Sequence, residues 1–485
     1  MATEQSTPHQ VIIVGGGITG LTLALMLQHL NIDYVLLEAY SSVTPNVGAS
    51  IGLYANGLRV LDQLGVYAPL RRVAQPAARH ITRDGDTGKK LAELPCGPAL
   101  EARHGYAPLF TERHSLLQIL LEHVSEKARI LVNKRVQRIE NSEHGVRVHT
   151  GDGDVFEGQM VVGADGVHSA VRSEMWRHAQ EQEPSAIPAV DKQNIKCEYA
   201  CVFGLAKPTP GIAPGDVIAV SKQHSTAGFM GGYRSEVFCF WFWKLPRGQQ
   251  SCPIDAIPRF TPADQEAQLA RAADLVAADS GLRVGEVMRR LERSATTALP
   301  HFVLRRWHFG RVVLVGDASH KFNPLVGQGG NSCIESCAAL ANELAATMSP
   351  AELAAPAWPR EKLERVFEAV EAQRVPRLVD MVERCQVAQY AAAWDTWGLK
   401  FLSRYVMPLQ SVAKVTDFYS SFITGGLKLK TLELPAVKHE WAYDDEVADE
   451  PKQSSTAVLL TAASFALFAG ILAARTVRNG GRIGF

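Results

Sequence analysis

Between Val11 and Glu38, the spacing of hydrophobic residues changes from that of a strand to that of a helix and back to that of a strand. Four apolar residues, Val11 to Val14, lead into the glycine-rich segment GGGITG, then into an apolar run ending near Leu30, and finally into Tyr34 to Leu37. Short apolar runs bounded by glycine are typical of buried strands, and the longer run is typical of a helix. The pattern predicts a strand, a tight turn, a helix and a second strand.

The glycine spacing indicates what the turn holds. Gly15 permits a tight turn, Gly17 lets the backbone approach a pyrophosphate, and Gly20 lets the helix pack closely on the strand. The helix N-terminus adds partial positive charge for phosphates. Glu38 ends the second strand, where a carboxylate can accept a hydrogen bond from a ribose 2′-OH, which favours FAD or NAD over NADP. A purely structural βαβ unit is the alternative, and the agreement of strands, helix and acid favours a dinucleotide site.

A second pattern of this kind lies about 300 residues later, between Arg311 and Leu344. The apolar run Val312 to Val315 is followed by the turn Gly316-Asp317-Ala318, a glycine-rich loop and a helix predicted from Ser332 to Leu344. An acid at a strand end followed by a glycine-rich helix start suits sugar hydroxyls and phosphates. The two patterns predict one large ligand held by both parts of the chain.

Two shorter segments carry further candidate groups. A helix opens at Thr111 to His114, and its dipole disfavours a cation at Arg113 unless that cation faces ligand phosphates. An exposed arginine is the commoner alternative. Gln159 to Arg172 contains a buried strand, a turn with Asp165 and a helix start, for which an ordinary Asp-Gly turn is the alternative.

The middle of the chain, from about Glu174 to Pro300, predicts a mostly antiparallel sheet. The predicted strands are Cys197 to Leu205, Val217 to Val220 and Glu236 to Trp243. The last of these is apolar on both faces, so it is either ordinary core or one wall of a hydrophobic pocket. A helix-rich insertion is predicted from Pro262 to Arg293, and a separate hairpin is predicted at Asp84-Gly85.

The C-terminal region carries two hydrophobic features. An aromatic stripe at helical spacing is predicted to pack on the main domain, with an interfacial membrane face as the alternative; its residues are Tyr390, Trp394, Trp397, Phe401 and Tyr405. Thr456 to Ala474 has 19 residues without a charge. At about 1.5 Å per residue, a helix of that length nearly spans the hydrocarbon core of a bilayer. We expect a membrane anchor there, and a buried terminal helix is the alternative.

Composition narrows the function classes. Lys plus Arg and Asp plus Glu both number 50, so no net charge marks a nucleic-acid-binding protein. At 485 residues, two domains are expected. The eight cysteines form no C-x-x-C pair and no metal-spaced cluster, which predicts buried free thiols and no metal site. Met1 to Gln10 is polar and lacks the pattern of a secretory signal, so a reducing compartment is expected.

With these residues assembled, the chain resembles the single-component FAD-dependent monooxygenases of the p-hydroxybenzoate hydroxylase type. Three motifs carry the resemblance: GGGITG with Glu38, GADGVHSAVR from Gly163 to Arg172, and GDASHKFNPLVGQGGN from Gly316 to Asn331. We therefore expect an α/β fold. Its expected parts are a Rossmann-like FAD-binding domain (1–180 and 301–350), a mostly antiparallel substrate-binding sheet domain (181–300), a helical C-terminal extension (351–450) and a transmembrane helix (456–474).

The resemblance also implies which residues hold the FAD. From adenosine to flavin these are Glu38 at the ribose, Arg113 and Asp317 at the pyrophosphate and ribityl part, and Gly52 and Gly330, whose backbone approaches the flavin, with Asp165 in a motif associated with both FAD and nicotinamide binding. Residues 324–330 are expected at the flavin edge. Ser336 departs from the family, where Glu335 is usually followed by a second acid, and we expect this to alter only contacts at the helix end.

More narrowly, the segments GASIGLYANGLRVLDQLG and EYACVFGLA and the C-terminal extension resemble fungal FAD-dependent epoxidases of meroterpenoid and indole-diterpene pathways. That resemblance implies a polyprenyl chain on an aromatic, pyrone or indole head, epoxidised at an alkene before a cyclase acts. We expect NAD(P)H to reduce the FAD and O2 to give a flavin C4a-hydroperoxide, so the protein needs no acid–base pair. Tyr199 and Tyr233 are candidates for a hydrogen bond to substrate, although a structural role is commoner.

The expected setting is a single-pass C-terminal anchor with the catalytic part in the cytosol at the endoplasmic reticulum. Arg475, Arg478 and Arg482 follow the anchor and favour the opposite orientation, but the supply of NAD(P)H favours the cytosol. A membrane terpene cyclase would be a downstream partner. Two alternatives remain open: an aromatic ring hydroxylase on the same scaffold, and a flavin-binding membrane protein without monooxygenase activity.

Overall fold

The computed structural model describes residues 8–46 and 50–447. The predicted anchor at 456–474 and the first two residues of the segment GASIGL lie outside the described residues. The strands in chain order are β1 (His9–Val14), β2 (Tyr34–Leu37), β3 (Ser50–Leu53), β4 (Gln75–Pro76), β5 (Arg79–Asp84), β6 (Lys90–Leu94), β7 (Leu109–Glu112), β8 (Ile130–Leu131), β9 (Val136–Asn141), β10 (Val146–Thr150), β11 (Val155–Gly163), β12 (Ile195–Ala206), β13 (Asp216–Lys222), β14 (Ser225–Gly231), β15 (Val237–Lys244), β16 (Ser251–Cys252), β17 (Leu291–Val303), β18 (His308–Phe309), β19 (Val312–Leu314) and β20 (His320–Lys321). The helices are α1 (Ile18–His29), α2 (Ala55–Gln63), α3 (Tyr67–Arg71), α4 (Cys96–His104), α5 (Arg113–His123), α6 (Ala170–Gln182), α7 (Pro262–Ala272), α8 (Val284–Met288), α9 (Gln328–Thr347), α10 (Pro350–Leu353), α11 (Arg360–Ala392), α12 (Trp397–Phe401) and α13 (Val412–Ile423).

The first sheet is built around β1, which confirms the predicted strand, turn, helix and strand at the N-terminus. β1 pairs in parallel with β2 and with β11, while β8 and β19 continue the parallel order outward. The hairpin β9–β10 and the short β18 add antiparallel edges. Because parallel strands end at the same edge of a sheet, the three motif turns after β1, β11 and β19 come together there.

The second sheet is mostly antiparallel, in the order β20-β17-β12-β15-β14-β13-β5-β6 with β16 beside β12. β12, β13 and β15 confirm the three strands predicted in the middle of the chain. The hairpin predicted at Asp84-Gly85 is also present as β5–β6, but it belongs to this sheet. β5 pairs in parallel with β13, from Arg79 opposite Asp216 to Asp84 opposite Ser221. The sheet therefore draws strands from well before residue 181.

Two boundaries differ from the prediction. α9 begins at Gln328, ahead of the predicted start at Ser332, because Gly327 adopts a left-handed conformation with φ 71° and turns the chain directly into the helix. The predicted insertion from Pro262 to Arg293 is helical only in α7 and α8. Its last residues join β17, because β17 pairs with β12 from Leu291 onward.

The C-terminal extension does not carry its aromatic residues on one continuous helix. α11 ends at Ala392, and Trp394 follows with φ 48° and a fully buried side chain. The carboxylate of Asp395 fixes this break, because it accepts hydrogen bonds from Tyr199 and Lys244 of the second sheet. Contacts distant in sequence therefore override the local helical period.

The rest of the predicted stripe is exposed. Trp397 is 81% exposed, Phe401 50% and Tyr405 57%, and their rings contact one another along α12 and the turns that follow it. The expectation that the whole stripe packs on the main domain is wrong for these three residues.

The described residues up to Asp444 form one compact unit, so the domain boundaries at 180, 300 and 350 remain predictions. All eight cysteines are buried free thiols, as predicted. Among the helices that the structure describes, none combines the length and the apolar character needed to cross a membrane.

Candidate flavin and substrate site

The turn after β1 is tight on the protein side and open on the opposite side. Gly15 has a φ of 108°, and a Cβ there would lie 2.5 Å from the carbonyl oxygen of Ala164. A Cβ at Gly20 would lie 1.9 Å from the carbonyl oxygen of Gly15, so α1 can approach β1 this closely only with glycine at that position. At Gly17 the first atom that a Cβ would meet is Nη2 of Arg113, at 3.6 Å. The open side is where the N-terminus of α1 can receive a pyrophosphate.

Glu38 lies directly after β2 and is 9% exposed. Its carboxylate accepts hydrogen bonds from the backbone N–H groups of Gly16 at 2.6 Å and Tyr40 at 2.9 Å. These two donors fix the carboxylate beside the glycine turn. Each oxygen keeps acceptor capacity for a ribose hydroxyl, so the geometry fits the expected ribose contact.

Arg113 opens α5 beside Gly17 and is half-buried. Within residues 8–46 and 50–447, its guanidinium has no hydrogen-bond or ion-pair partner. Burial lowers the pKa of Arg113, and the nearby carboxylates of Asp317 and Glu38 oppose that shift. A cation without a protein partner, beside an open glycine turn, fits the phosphates of FAD.

Asp317 follows β19 on the same edge of the first sheet. Its carboxylate pairs with the ammonium of Lys321, and the thiol of Cys333 lies 3.8 Å from Oδ1. Lys321 was not among the predicted site residues. The available signal was a cation four positions after the acid, within the loop that joins it to α9. The two residues form a charged pair near the unpartnered Arg113.

Residues 324–330, here called the flavin-edge loop, are tied to β3 by one side chain. Oδ1 of Asn331 accepts a hydrogen bond from the backbone N–H of Tyr54 at 2.9 Å. Its Nδ2 donates to the carbonyl oxygens of Gly52 at 3.1 Å and Gly327 at 2.8 Å. A Cβ at Gly330 would lie 2.6 Å from a side chain of β3. The structure therefore brings Gly52 and Gly330 to one surface, as a shared approach to the flavin requires.

The carboxylate of Asp165 accepts hydrogen bonds from its own turn and from the start of the helix that follows. The donors are the Ser169 hydroxyl at 2.5 Å and the backbone N–H of Val171 at 3.1 Å, and burial raises the pKa of Asp165. These bonds set the start of α6, where the Ser169 hydroxyl also accepts from the backbone N–H of Arg172. Nη1 of the buried Arg172 donates to the carbonyl oxygen of Ala318 at 2.9 Å. The motif from Gly163 to Arg172 thus supports the motif from Gly316 to Asn331. Direct nicotinamide contact by Asp165 remains a prediction.

A buried charge cluster on α9 was not predicted from the sequence. Glu335 is fully buried, and its carboxylate accepts hydrogen bonds from Nδ2 of Asn56 at 2.6 Å, from Arg374 and from Arg377 at 3.0 Å. Burial alone would raise the pKa of Glu335, but the two guanidinium groups more than offset it and hold the value at about 2. Both arginines come from α11, so the C-terminal extension holds the helix that carries the flavin-edge loop.

Ser336 completes this cluster at the position where the family usually has a second acid. Its hydroxyl contacts Nε of Arg374 at 3.2 Å and Nε2 of His320 at 2.9 Å. Burial and the Arg374 charge lower the pKa of His320 to about 3, so the imidazole is neutral. The departure therefore affects a contact between α9 and α11, and it lies outside the flavin-facing turn.

The two candidate tyrosines are not brought together. Tyr199 is buried on β12, and its hydroxyl donates to Oδ1 of Asp395 at 2.7 Å. Burial and that carboxylate raise the pKa of Tyr199. Tyr233 is 50% exposed in the turn between β14 and β15, at the opposite end of the sheet. Tyr199 acts on the fold of the extension, and the location of Tyr233 does not favour substrate contact.

One face of the second sheet, here called the apolar wall, lies beside the flavin-edge loop. Along β12 and β15 its residues alternate with residues of the main core. Its buried members are Phe110, Tyr199, Cys201, Leu205, Phe238, Phe240, Phe242, Leu299 and Ala393. Leu325 of the loop packs against this cluster, and a Cβ at Gly52 would lie 3.0 Å from the Phe110 ring. The wall therefore packs against both the flavin-edge loop and Gly52, which is expected to approach the flavin.

A narrow cavity, here called the ring cavity, adjoins the wall. Phe110, Val217 and Ala77 belong to the borders of both. The remaining lining residues are Tyr54, Arg79, His80, Cys96, Gly97, Leu100, Pro108 and Tyr419. None of the described residues forms a cluster of three or more His, Cys, Asp or Glu side chains suited to a metal ion.

Comparison with known proteins agrees with this geometry. The model of the FAD binding domain family matches residues 8–354. The FAD-dependent monooxygenase olcE of Penicillium canescens is 35% identical over 428 residues, covering 88% of this chain and 90% of that protein. The FAD-dependent monooxygenase dpchE of Colletotrichum higginsianum is 38% identical over 413 residues, covering 83% and 85%.

The fold also matches solved structures. Klebsiella pneumoniae HpxO, crystallised with FAD and uric acid, has a TM-score of 0.70 at 22% identity, covering 87% of this chain and 98% of that chain. At this identity the match concerns the fold alone. One conclusion follows from the family match, from the fungal relatives and from the fit of the glycine turns, Glu38 and Arg113 to FAD. The chain belongs to the FAD-binding-domain family of flavin monooxygenases, and it is an FAD-dependent monooxygenase for which NAD(P)H and O2 are the usual co-substrates.

Proposed function

We propose that this monooxygenase epoxidises an alkene of a polyprenylated intermediate in secondary metabolism, of the meroterpenoid, diterpenoid-pyrone or indole-diterpene type. The observation that carries the proposal is the apolar wall beside the flavin-edge loop. Seven of its nine buried members have no polar side-chain atom. Such a surface favours an apolar chain over a small charged phenol.

The polar atoms on the wall are already used within the protein. The Tyr199 hydroxyl donates to Asp395, and the Cys201 thiol donates to the carbonyl of Val202 at 3.2 Å. Neither group is free to act as a base toward a substrate. Deprotonation of a phenol by the wall is therefore disfavoured, whereas an isolated alkene needs no deprotonation.

When bound, FAD supplies oxygen transfer with electrons from NAD(P)H and oxygen from O2. The protein's part is to exclude water and to hold the alkene near the flavin-edge loop. Phe240 contacts Phe203 edge-to-face at 5.7 Å and stacks on Phe242 at 6.0 Å. These rings form a stiff, dry surface along which an extended chain can lie. The bound chain would be positioned by shape.

We propose that the enzyme works at a bilayer, with residues 456–474 as a single-pass anchor and the catalytic part in the cytosol at the endoplasmic reticulum. The exposed residues Trp397, Phe401, Tyr405 and Leu409, here called the aromatic patch, support a second contact with lipid. Aromatic side chains of this kind favour the level of the lipid head groups. A polyprenyl substrate concentrates in a bilayer, and a membrane terpene cyclase that opens the epoxide would be the next enzyme.

The test is a comparison of wall variants in NAD(P)H oxidation assays of the FAD-loaded full chain. A prenylated phenol should accelerate oxidation and give product, whereas the same phenol without its chain should not. Phe240→Gln should release more H2O2 and less product, because it brings water to the wall. Phe240→Leu keeps the wall apolar and should remain coupled. Equal stimulation by the unprenylated phenol would contradict the proposal.

A further inference from the structure

Three residues that line the otherwise mostly apolar ring cavity have polar side chains that are unpaired within the part of the chain that the structure describes: Tyr54, His80 and Tyr419. Tyr54 is 7% exposed, and its hydroxyl has no protein partner among the described residues. Polar groups of mostly buried residues are normally paired, so an unpaired hydroxyl on a residue that lines a cavity is a candidate for a hydrogen bond to a ligand.

Arg79, the fourth polar side chain at this cavity, already has protein partners. Arg79 donates to Oδ1 of Asp216 through Nε at 3.0 Å and Nη2 at 2.7 Å, and to Glu93 through Nη1 at 2.6 Å. Its charge is therefore neutralised by two carboxylates. Burial raises the pKa of Tyr54 and of Tyr419 and lowers that of His80, so all three free groups are neutral near pH 7. A neutral polar ligand suits them better than an anion.

The aromatic geometry favours a flat ligand. The rings of Tyr54 and Tyr419 stack with centroids 5.8 Å apart and an interplanar angle of 12°. His80 meets Tyr419 edge-on at 6.5 Å. A planar ring can pack against such surfaces, and the small size of the cavity disfavours a bulky three-dimensional group.

The cavity is also placed to share a ligand with the wall. Tyr54 lines the cavity and also contacts the flavin-edge loop, since a Cβ at Gly327 would lie 3.0 Å from its ring. Phe110, Val217 and Ala77 border both spaces. A molecule with a flat polar end and an apolar tail can therefore reach from the cavity along the wall.

We propose that the ring cavity is the subsite for the substrate's head group, a planar ring bearing hydroxyl or carbonyl oxygens, which Tyr54, His80 and Tyr419 recognise by hydrogen bonds. This rests on the proposed function, since the attached prenyl chain would lie on the wall. Tyr419 belongs to α13, beyond the residues 8–354 that match the family model. The C-terminal extension therefore supplies a specificity-determining residue.

The test is equilibrium binding to the FAD-loaded full chain, followed by the change in the flavin absorption spectrum. The probes are a farnesylated dihydroxybenzene, its dimethyl ether and farnesol. Wild-type protein should bind the free phenol more tightly than the ether, and Tyr54→Phe and Tyr419→Phe should each weaken phenol binding about 3- to 10-fold. Both variants should leave farnesol binding unchanged. Tyr67→Phe is the matched control, because Tyr67 packs edge-to-face against Tyr106 and does not line the cavity.

Equal binding of phenol and ether by the wild type, or an unchanged preference in the Tyr54→Phe/Tyr419→Phe double variant, would overturn the subsite. These outcomes are separate from those for epoxidation. If oxygen is transferred to the prenyl chain but the double variant keeps the preference for phenol over ether, the proposed function is supported and the subsite is rejected. If phenol binding depends on the two tyrosines but no oxygen is transferred, the subsite is supported and the proposed function is rejected.

Discussion

Arg172 donates a hydrogen bond of 2.9 Å from Nη1 to the carbonyl oxygen of Ala318, and this joins two motif turns that are far apart in the sequence. Its Nη2 donates to the carbonyl of Val167 at 2.7 Å. One buried guanidinium therefore holds the turn after β11 against the turn after β19. The position of Asp317, one residue before Ala318, depends on this bridge.

Arg172→Ala should destabilise the protein because it leaves the buried carbonyl group of Ala318 and the partly buried carbonyl group of Val167 without their donor. We expect the free energy of unfolding in urea to fall by about 3 kcal/mol and FAD to dissociate more readily. Arg147→Ala is the control, since Arg147 pairs with Glu157 on the surface and should change stability by less than about 1 kcal/mol. Similar effects of both variants would contradict a bridging role for Arg172.

Arg113→Ala should weaken FAD binding, because it removes the unpartnered cation beside Gly17. A charge-assisted hydrogen bond of about 1.5–3 kcal/mol corresponds to a roughly 10- to 150-fold rise in the FAD dissociation constant. Arg113→Lys keeps the charge and should give a smaller rise. The measurement is flavin fluorescence on titration of the apoprotein, and wild-type affinity in Arg113→Ala would rule out the phosphate contact.

Stability should fall as the pH drops below 6.5, because buried histidines stay neutral in the folded chain. Burial lowers the pKa of His320 to about 3 and those of His104 and His301 to about 4. Between these values and the usual pKa of about 6.5, the unfolded chain binds protons that the folded chain does not, so acid favours unfolding. The stabilisation is complete above pH 6.5 and is lost progressively below it.

His320→Gln tests this directly. In urea unfolding between pH 6.5 and 5, each such histidine contributes up to about 1.4 kcal/mol per pH unit to the slope. The variant should have a shallower slope by roughly that amount. Glu335, with a pKa of about 2 in the folded chain, stays ionised in that chain across this range, and it is the same in both proteins. An unchanged slope would mean that His320 is protonated in the folded state.

The aromatic patch should enter the lipid interface. Vesicles of phosphatidylcholine with brominated acyl chains should quench the tryptophan fluorescence of the full chain, since Trp397 is exposed. Trp397→Phe should lose much of this quenching, while binding to vesicles persists through the proposed anchor. Trp394 is fully buried and should stay unquenched. Undiminished quenching in Trp397→Phe would mean that the patch stays in water.

The sequence predicted those parts of the fold whose signals are local. β1, α1 and β2 follow from an apolar run, three spaced glycines and a helical period within one short stretch. The β5–β6 hairpin follows from Asp84-Gly85 alone. Its membership of the second sheet depends on parallel pairing with β13, and neither strand carries a local signal for its partner.

The site residues likewise divide into those with a local sequence signal and those without one. Glu38, Arg113 and Asp317 stand at strand ends or helix starts, where position along the chain indicates the role. Tyr54 and Tyr419 become neighbours only when α13 folds back over the cavity, and a lone tyrosine on a helix carries no signal for that. Tyr199 is a candidate for substrate contact from the sequence alone. Its actual partner, Asp395, is distant in sequence, and no local signal points to it.

The position of oxygen in the product tests the proposed epoxidation most directly. The FAD-loaded full chain in microsomal membranes would be incubated with NADPH, 18O2 and a panel of prenylated phenols, pyrones and indoles, and the products analysed by tandem mass spectrometry. We predict one 18O atom on the prenyl chain of a ring-bearing substrate. Label on the ring would identify a hydroxylase and contradict the epoxidase, and absence of label despite substrate-stimulated NADPH oxidation would contradict oxygen transfer to these substrates altogether.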